Sequence, residues 1–220
     1  MYKCILFDMD GTLVNSYAGI YHAYRYAFET LGLPFGGETF VRRAIGAPLP
    51  LVFSQFAGLQ ADAVPRAVEL YRAYYARRGK HEAEVYSGMA QVLRQLREDG
   101  SFLGVATLKK EDFAREMLEG CGILSCFDTV CGMDAADSLT KADLLRRGMQ
   151  RAGAAPDDTV LVGDSEFDVT GAKEAGVGFL AVTYGFGFHE PDALERYGIN
   201  RWADTPQEIP QRLGVPITVG

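Results

Sequence analysis

Short apolar runs alternate with amphipathic stretches along most of this chain, and that rhythm limits its fold more than any other feature. The runs occupy residues 2–7, 102–107, 127–131, 159–162 and 178–182. Each has strand length and is rich in apolar side chains. Helical patterns separate most of them, over 87–99, 111–119, 140–151 and 166–175. Ser87 is a candidate N-cap for a stripe of Met89, Val92, Leu93 and Leu96, and Asp99-Gly100 supplies a stop. Thr140 caps a second stripe that includes Leu144, Leu145 and Met149. Strands alternating with helices build βαβ units, so an α/β fold on a parallel sheet is predicted.

The rhythm fails between about residues 15 and 86. A crossover between parallel strands needs only about a dozen residues, and this stretch is several times longer. Its pattern predicts helices over 17–31, 38–45, 49–56 and 64–78, and no strand pair. Gly32-Leu33-Pro34, Gly46-Ala47-Pro48 and Gly58 punctuate them. Pro65 is tolerated only in a first helical turn, which places the start of the last helix. Tyr21, Tyr24, Phe28 and Leu31 recur at helical spacing and read as core packing.

Two carboxylates close the first run, in Asp8-Met9-Asp10-Gly11-Thr12. In an open α/β sheet, ligands bind beyond the carboxyl ends of the strands. Asp8 and Asp10 flank Met9, so in extended chain both face one side, and Gly11 frees the turn that follows. Such a pair suits a hard cation such as Mg2+, or a nucleophile beside an acid/base group. An ordinary strand end and turn contain the same residue types. Asp164 closes the fourth run and Asp168 follows about one helical turn later. N-capping explains Asp164 or Ser165 taken alone, but not a matching pair of acids at the other end of the chain. Lys141 falls in the first turn of its helix, where a cation gains nothing from the helix dipole. That local misfit favours a functional reason.

Composition narrows the function further. The chain has 220 residues, enough for a full core with a small insertion, and a net charge of -7. Acidity argues against nucleic-acid and anionic-membrane partners, which want a basic face. A bound divalent cation can still reverse the sign locally for a phosphate ester. No apolar run approaches the roughly 20 residues that span a bilayer. Met1-Tyr2-Lys3 leads straight into the first run, so no signal peptide and a cytoplasmic location are expected. Cys4 reads as a small core residue, and Cys121, Cys126 and Cys131 are spaced unlike zinc ligands, so buried reduced thiols are expected. His22, His81 and His189 sit at no spacing that builds a triad or a metal site.

The string Asp8-Met9-Asp10-Gly11-Thr12-Leu13-Val14-Asn15-Ser16 resembles the first signature of the haloacid dehalogenase-like superfamily, in the branch that contains phosphoglycolate phosphatases. Three further motifs follow in the family's order. They are Val105-Ala106-Thr107-Leu108-Lys109, Lys141 in Leu139-Thr140-Lys141-Ala142-Asp143, and Gly163-Asp164-Ser165-Glu166-Phe167-Asp168. Leu108 stands where many relatives carry Asn, and Ala142 where many carry Pro; the Thr-x-Lys form also occurs in the branch, which implies that Lys109 lines the site without a catalytic role. The resemblance implies that Asp8 is the nucleophile, forming an aspartyl-phosphate, and that Asp10 is the general acid and then the base. Dehalogenases of the superfamily lack this second Asp. It further implies that Thr107 donates to a phosphoryl oxygen, although a β-branched residue also merely finishes a strand. Lys141 would balance the charge of nucleophile and phosphoryl group. Mg2+ would be held by Asp8, the Asp10 main-chain carbonyl and Asp164, with Asp168 acting through a hydrogen bond or water or as a further ligand. An α-helical cap over residues 16–86 would sit on a catalytic core of residues 1–15 and 87–220, hinged near Asn15-Ser16 and Tyr86-Ser87-Gly88.

The expectation is therefore a doubly wound parallel sheet with an inserted helical cap, catalysing Mg2+-dependent hydrolysis of a small phosphomonoester. Phosphoglycolate leads, on the cap pattern and Tyr184-Gly185-Phe186-Gly187. A nucleoside monophosphate, as for a 5′-nucleotidase, or a sugar phosphate follows closely. Gly46-Ala47-Pro48 is the candidate specificity loop, and Arg42 and Arg43 before it are candidates to bind a substrate carboxylate or second phosphate through a guanidinium fork. A phosphomutase resembling β-phosphoglucomutase would use the same acids with a cap histidine, from whose place His22 is displaced. A non-enzymatic module on the same fold would be signalled by a lost acid, and all four are present. The partner expected is a small phosphorylated metabolite, with the protein a monomer or homodimer.

Overall fold

The computed structural model describes residues 2–188 and 192–215, so His189 lies outside the described residues. The first elements are β1 (Cys4–Phe7), β2 (Val14–Asn15), α1 (Tyr17–Thr30), α2 (Gly37–Ala44), α3 (Leu49–Leu51), α4 (Val64–Arg77) and β3 (Glu84–Val85). Then come α5 (Met89–Glu98), β4 (Phe102–Lys110), α6 (Glu111–Gly120), β5 (Thr129–Met133), α7 (Lys141–Ala152), β6 (Thr159–Gly163) and α8 (Glu166–Ala175). The chain ends with β7 (Gly178–Val182), α9 (Ala193–Arg196), β8 (Trp202–Ala203) and α10 (Ile209–Arg212).

Among the described residues, six strands form one sheet in the order β5-β4-β1-β6-β7-β8, every neighbouring pair parallel. Alternation along β1 sets the layers. Ile5 and Phe7 face a core shared with Val92, Leu93 and Leu96 of α5 and Met117 and Leu118 of α6. Cys4 and Leu6 face the opposite core, with Leu144, Leu145 and Met149 of α7 and Ala172 of α8. The sheet is thus covered on both sides, as a parallel sheet requires. From β1 the chain pairs first toward β4 and β5 and later toward β6, β7 and β8. The order reverses at β1, which opens a crevice beyond its carboxyl end.

Several expectations are corrected. The segment without a predicted strand pair contributes to a two-stranded antiparallel ribbon, Val14 with Val85 and Asn15 with Glu84. Two residues a side are too few to register as a period. The helices α1 to α4 lie between its two strands. Only Leu49–Leu51 of the stretch 49–56 is α-helical; Val52–Phe56 is wound as a π-helix, with the Ala57 N–H bonded to the Val52 carbonyl at 2.9 Å. Gly88, at φ +84°, takes the N-cap place predicted for Ser87. Pro65 does stand in the first turn of α4, and Thr140 forms a capping box with Asp143. Tyr24 and Phe28 are buried among Phe40 and Phe53, as the stripe predicts. The thiols of Cys4 and Cys131 are buried, whereas Cys121 and Cys126 are partly exposed. No helix among the described residues is long and apolar enough to cross a membrane.

Candidate active site

The crevice receives its first carboxylate because the parallel ladder runs one residue past β1. The Asp8 N–H donates to the Val162 carbonyl at 2.8 Å, which fixes the backbone from which the side chain projects. A tight turn follows, in which the Met9 carbonyl accepts from the N–H groups of Thr12, Leu13 and Val14 at 3.3, 2.9 and 3.1 Å. Gly11 stands in that turn at φ +84°, and a Cβ there would overlap the Asp164 carboxylate. Glycine is demanded twice over, by conformation and by the approach of β6.

Lys141 reaches the same point from the far side of the sheet. The capping box of Thr140 and Asp143 fixes the start of α7. Gly171 of α8 leaves room for the lysine stem, since a Cβ there would stand 2.5 Å from its Cγ. Lys141 Nζ then donates to Asp8 Oδ1 at 2.6 Å and to the Ala106 carbonyl at 2.7 Å, and lies 2.7 Å from Asp168 Oδ1. These acceptors outweigh the unfavourable dipole at a helix N-terminus. The other oxygen of Asp168 accepts from the Ser165 N–H and hydroxyl at 3.0 and 2.6 Å, which closes the capping box of α8. Asp164 Oδ2 accepts from the Phe186 N–H at 2.6 Å.

Asp8, Asp164 and Asp168 bring carboxylate oxygens within 4.8 Å of one another, all buried. Burial and the Asp168 charge push the Asp8 carboxyl up to about 7, against the pull of Lys141. Burial, then Asp168 and Asp8, hold Asp164 well above the usual carboxylate range. Burial opposes the Lys141 charge, but Asp168 and Asp8 outweigh it and keep the ammonium protonated beyond its ordinary range. Three clustered acids therefore face one lysine. An all-oxygen donor set short of positive charge fits a hard divalent cation such as Mg2+.

Asp10 and Thr107 line the same crevice, each with its own partners. The Ser16 hydroxyl donates to Asp10 Oδ1, and Lys109 Nζ lies 3.0 Å from Oδ2. Lys109 also donates to the Tyr75 hydroxyl of α4 at 2.7 Å and rides 4.2 Å from that ring's centre. Burial lowers its proton affinity, yet Asp10 and Tyr75 reverse this and hold the ammonium charged. Thr107 does not end its strand. β4 continues to Lys110 through a register shift after Ala106, and the Thr107 hydroxyl accepts the Lys109 N–H at 3.2 Å. Asp8, Asp10, Thr107, Lys141 and Asp168 line a cavity of about 100 Å3, whose other wall comes from α1, α4 and residues 44–50.

The structure thus brings together Asp8, Asp10, Thr107, Lys141, Asp164 and Asp168. It does not bring Arg43 to them. Val41 and Ala44 are the buried residues of α2, so Arg42 and Arg43 point outward by helical phase. Arg43 stacks 5.0 Å from the Phe56 ring centre and Arg42 5.6 Å from that of Tyr17, and neither lines the cavity. Gly46, Ala47 and Pro48 do line it. His22 pairs with Glu82 at 2.5 Å and His81 is exposed; neither reaches the cavity. Lys109 lines the cavity as its Thr-x-Lys spacing implied, though no catalytic role was assigned to it, whereas sequence reasoning passed over Tyr75, Arg72 and Asp137, which line it too. That spacing was the only signal, and it puts two strand residues on one side.

Known proteins resemble this chain in sequence and in fold. Residues 5–182 match the family model described as haloacid dehalogenase-like hydrolase. A protein of Dickeya dadantii named Probable phosphatase IndB is 34% identical over 95% of this chain and 92% of its own. A phosphoglycolate phosphatase of Rhodospirillum rubrum is 33% identical over 97% of this chain and 96% of its own. A Clostridium acetobutylicum protein described as a predicted phosphatase superposes with a TM-score of 0.91 at 30% identity, covering 97% of this chain and 98% of that one. With the doubly wound sheet, the acids at its switch point and a match over most of its length, the chain belongs to the haloacid dehalogenase-like hydrolases, among phosphoglycolate phosphatase-like relatives.

Proposed function

We propose that this hydrolase is a phosphatase that cleaves a small phosphomonoester through an aspartyl-phosphate on Asp8. The observation that carries the reading is the convergence of Asp8, Asp10, Thr107 and Lys141 on one cavity. The Asp8 carboxylate attacks phosphorus while the bond to the leaving oxygen breaks, and Asp10 gives that oxygen its proton. Asp10 then takes a proton from water, the water oxygen attacks phosphorus, and the bond to Asp8 breaks to release inorganic phosphate. Lys141 holds Asp8 Oδ1 in place and offsets charge beside it. Thr107 accepts from a backbone N–H, so its own hydroxyl proton is left for a phosphoryl oxygen. Asp8, Asp164 and the Asp10 carbonyl would hold Mg2+, with Asp168 behind them, and the cation supplies charge against the phosphoryl oxygens.

In this reading residues 16–86 are a cap over a core of residues 1–15 and 87–220, and the ribbon of β2 and β3 is the hinge. The cavity of about 100 Å3 lies well below the roughly 300–1,000 Å3 of pockets for drug-sized ligands. That favours a leaving group of a few atoms, as in phosphoglycolate, over a nucleoside or a sugar. A mutase would want a cap base at the cavity, and His22 is instead paired with Glu82. Four unpaired cysteines suit a reducing compartment, so the reading includes a cytoplasmic enzyme. The test is phosphate release from phosphoglycolate, a nucleoside monophosphate and a hexose phosphate, with Mg2+ and after chelation. Metal-dependent release, fastest from phosphoglycolate, is expected. Full activity after exhaustive chelation would sink the reading.

A further inference from the structure

Four cations among the described residues line the catalytic chamber: Arg72, Lys109, Lys110 and Lys141. Two are committed to the reacting acids, Lys141 to Asp8 and Asp168 and Lys109 to Asp10. Lys110 caps the carbonyls of Asp134 and Ala135 at 3.2 and 3.0 Å. Arg72 differs. It stands on α4, and one nitrogen of its guanidinium donates to both oxygens of Asp137 at 2.7 Å. Asp137 belongs to the loop between β5 and α7 and takes no part in the acid cluster around Asp8. The pair is partly buried, at 25% and 20% side-chain exposure, and both residues also line an outer groove of about 670 Å3. With Pro50 and Phe113, which also line both, it stands between chamber and groove.

We propose that Arg72 is the specificity residue for the leaving group and binds a substrate carboxylate in the place that Asp137 holds here. This rests on the phosphatase reading and names the substrate class as phosphomonoesters of small hydroxy acids. The exchange swaps one carboxylate for another on the same guanidinium, so Arg72 keeps an anionic partner. Asp137 keeps a cation as well, because Lys110 Nζ lies 3.8 Å from its Oδ1. Asp137 is the one non-glycine among the described residues with positive φ, at +53°, a strained conformation of the kind that collects at ligand clamps. The rest of the lining is largely apolar, with Ile45, Ala47 and Leu49 from the insertion and Leu108 and Phe113 from β4 and α6. A carboxylate entering there finds in Arg72 the lining cation committed neither to the reacting acids nor to backbone carbonyls.

The test compares phosphoglycolate with ethyl phosphate, which has a similar size and no carboxylate, on wild type, Arg72→Ala, Arg72→Lys and Asp137→Asn. The Ala variant should lower the ratio of kcat/KM for phosphoglycolate over ethyl phosphate by about 10²-fold, as loss of a charge-assisted partner does. The Lys variant should recover only part of it, since an ammonium lacks the planar fork. Asp137→Asn, which tolerates positive φ, should act in the opposite direction and lower the phosphoglycolate KM by about threefold, because it removes a competitor for the binding-competent Arg72. Equal loss on both esters in Arg72→Ala, or a raised phosphoglycolate KM in Asp137→Asn, would show that the pair is only a strut and overturn the proposal. A wild-type protein that cleaves neither ester would overturn the phosphatase reading with it, a result distinct from activity without discrimination.

Discussion

Lys141 and Asp8 stand 133 residues apart in sequence, yet Lys141 Nζ donates to Asp8 Oδ1 at 2.6 Å inside the chamber. The same ammonium lies 2.7 Å from Asp168 Oδ1, so one side chain ties the end of β1 to the first turns of α7 and α8.

Lys141→Met should therefore cost stability as well as activity. It leaves Asp8 and Asp168 buried without their counter-ion, a loss of about 3–5 kcal/mol for a buried pair broken from one side. Urea unfolding in EDTA reads this as a lower midpoint with an unchanged slope. An unchanged midpoint would mean that the acids find another partner. Turnover should fall by at least about 10²-fold, the usual scale for a missing fixed charge at a reacting centre.

Stability should depend on pH and on Mg2+ together. Burial raises the Asp8 carboxyl from 3.8 to about 7 in the folded protein, and Asp164 rises too. The folded state then binds more protons than the unfolded one between about pH 4 and 7, so stability falls as pH rises through that window. Lys141 is shifted upward from an already high value and is charged in both states there, so it adds no slope. A cation binds the ionised acids and relieves the penalty. The Tm gain on adding Mg2+ should be larger at pH 8 than at pH 5. An equal or larger gain at pH 5 would place the metal elsewhere.

Arg43→Ala should change little. Its stacking on Phe56 is an exposed cation–π contact, worth about 0.5–1 kcal/mol. We expect a Tm within a few degrees of wild type and kcat/KM for phosphoglycolate within about threefold. A selective loss on phosphoglycolate would return Arg43 to the substrate site.

The sequence showed the sheet where strands are buried on both faces, because β1, β6 and β7 are nearly continuous apolar runs. It hid β8, two residues at the sheet edge with Trp202 exposed, and the ribbon of β2 and β3. Asp8 and Asp164 were legible because each follows a strand directly, so local pattern and site coincide. Lys109 and Tyr75, or Arg72 and Asp137, meet only when α4 folds over the sheet, across 34 and 65 residues of chain. No local period records such a meeting. The outward direction of Arg43 was readable, since Val41 and Ala44 fix the buried phase of α2.

The central claim is that Asp8 carries the phosphoryl group, and the direct measurement is acid-quench mass spectrometry of Asp10→Asn mixed with an aryl phosphate and Mg2+. Loss of the proton donor slows turnover by about 10²–10⁴-fold but leaves attack on a good leaving group possible. A phosphorylated peptide containing Asp8 should accumulate, and the Asp8→Asn protein treated alike should carry none. Phosphorylation of Asp8→Asn, or a phosphoryl group on any peptide that lacks residue 8, would contradict the account.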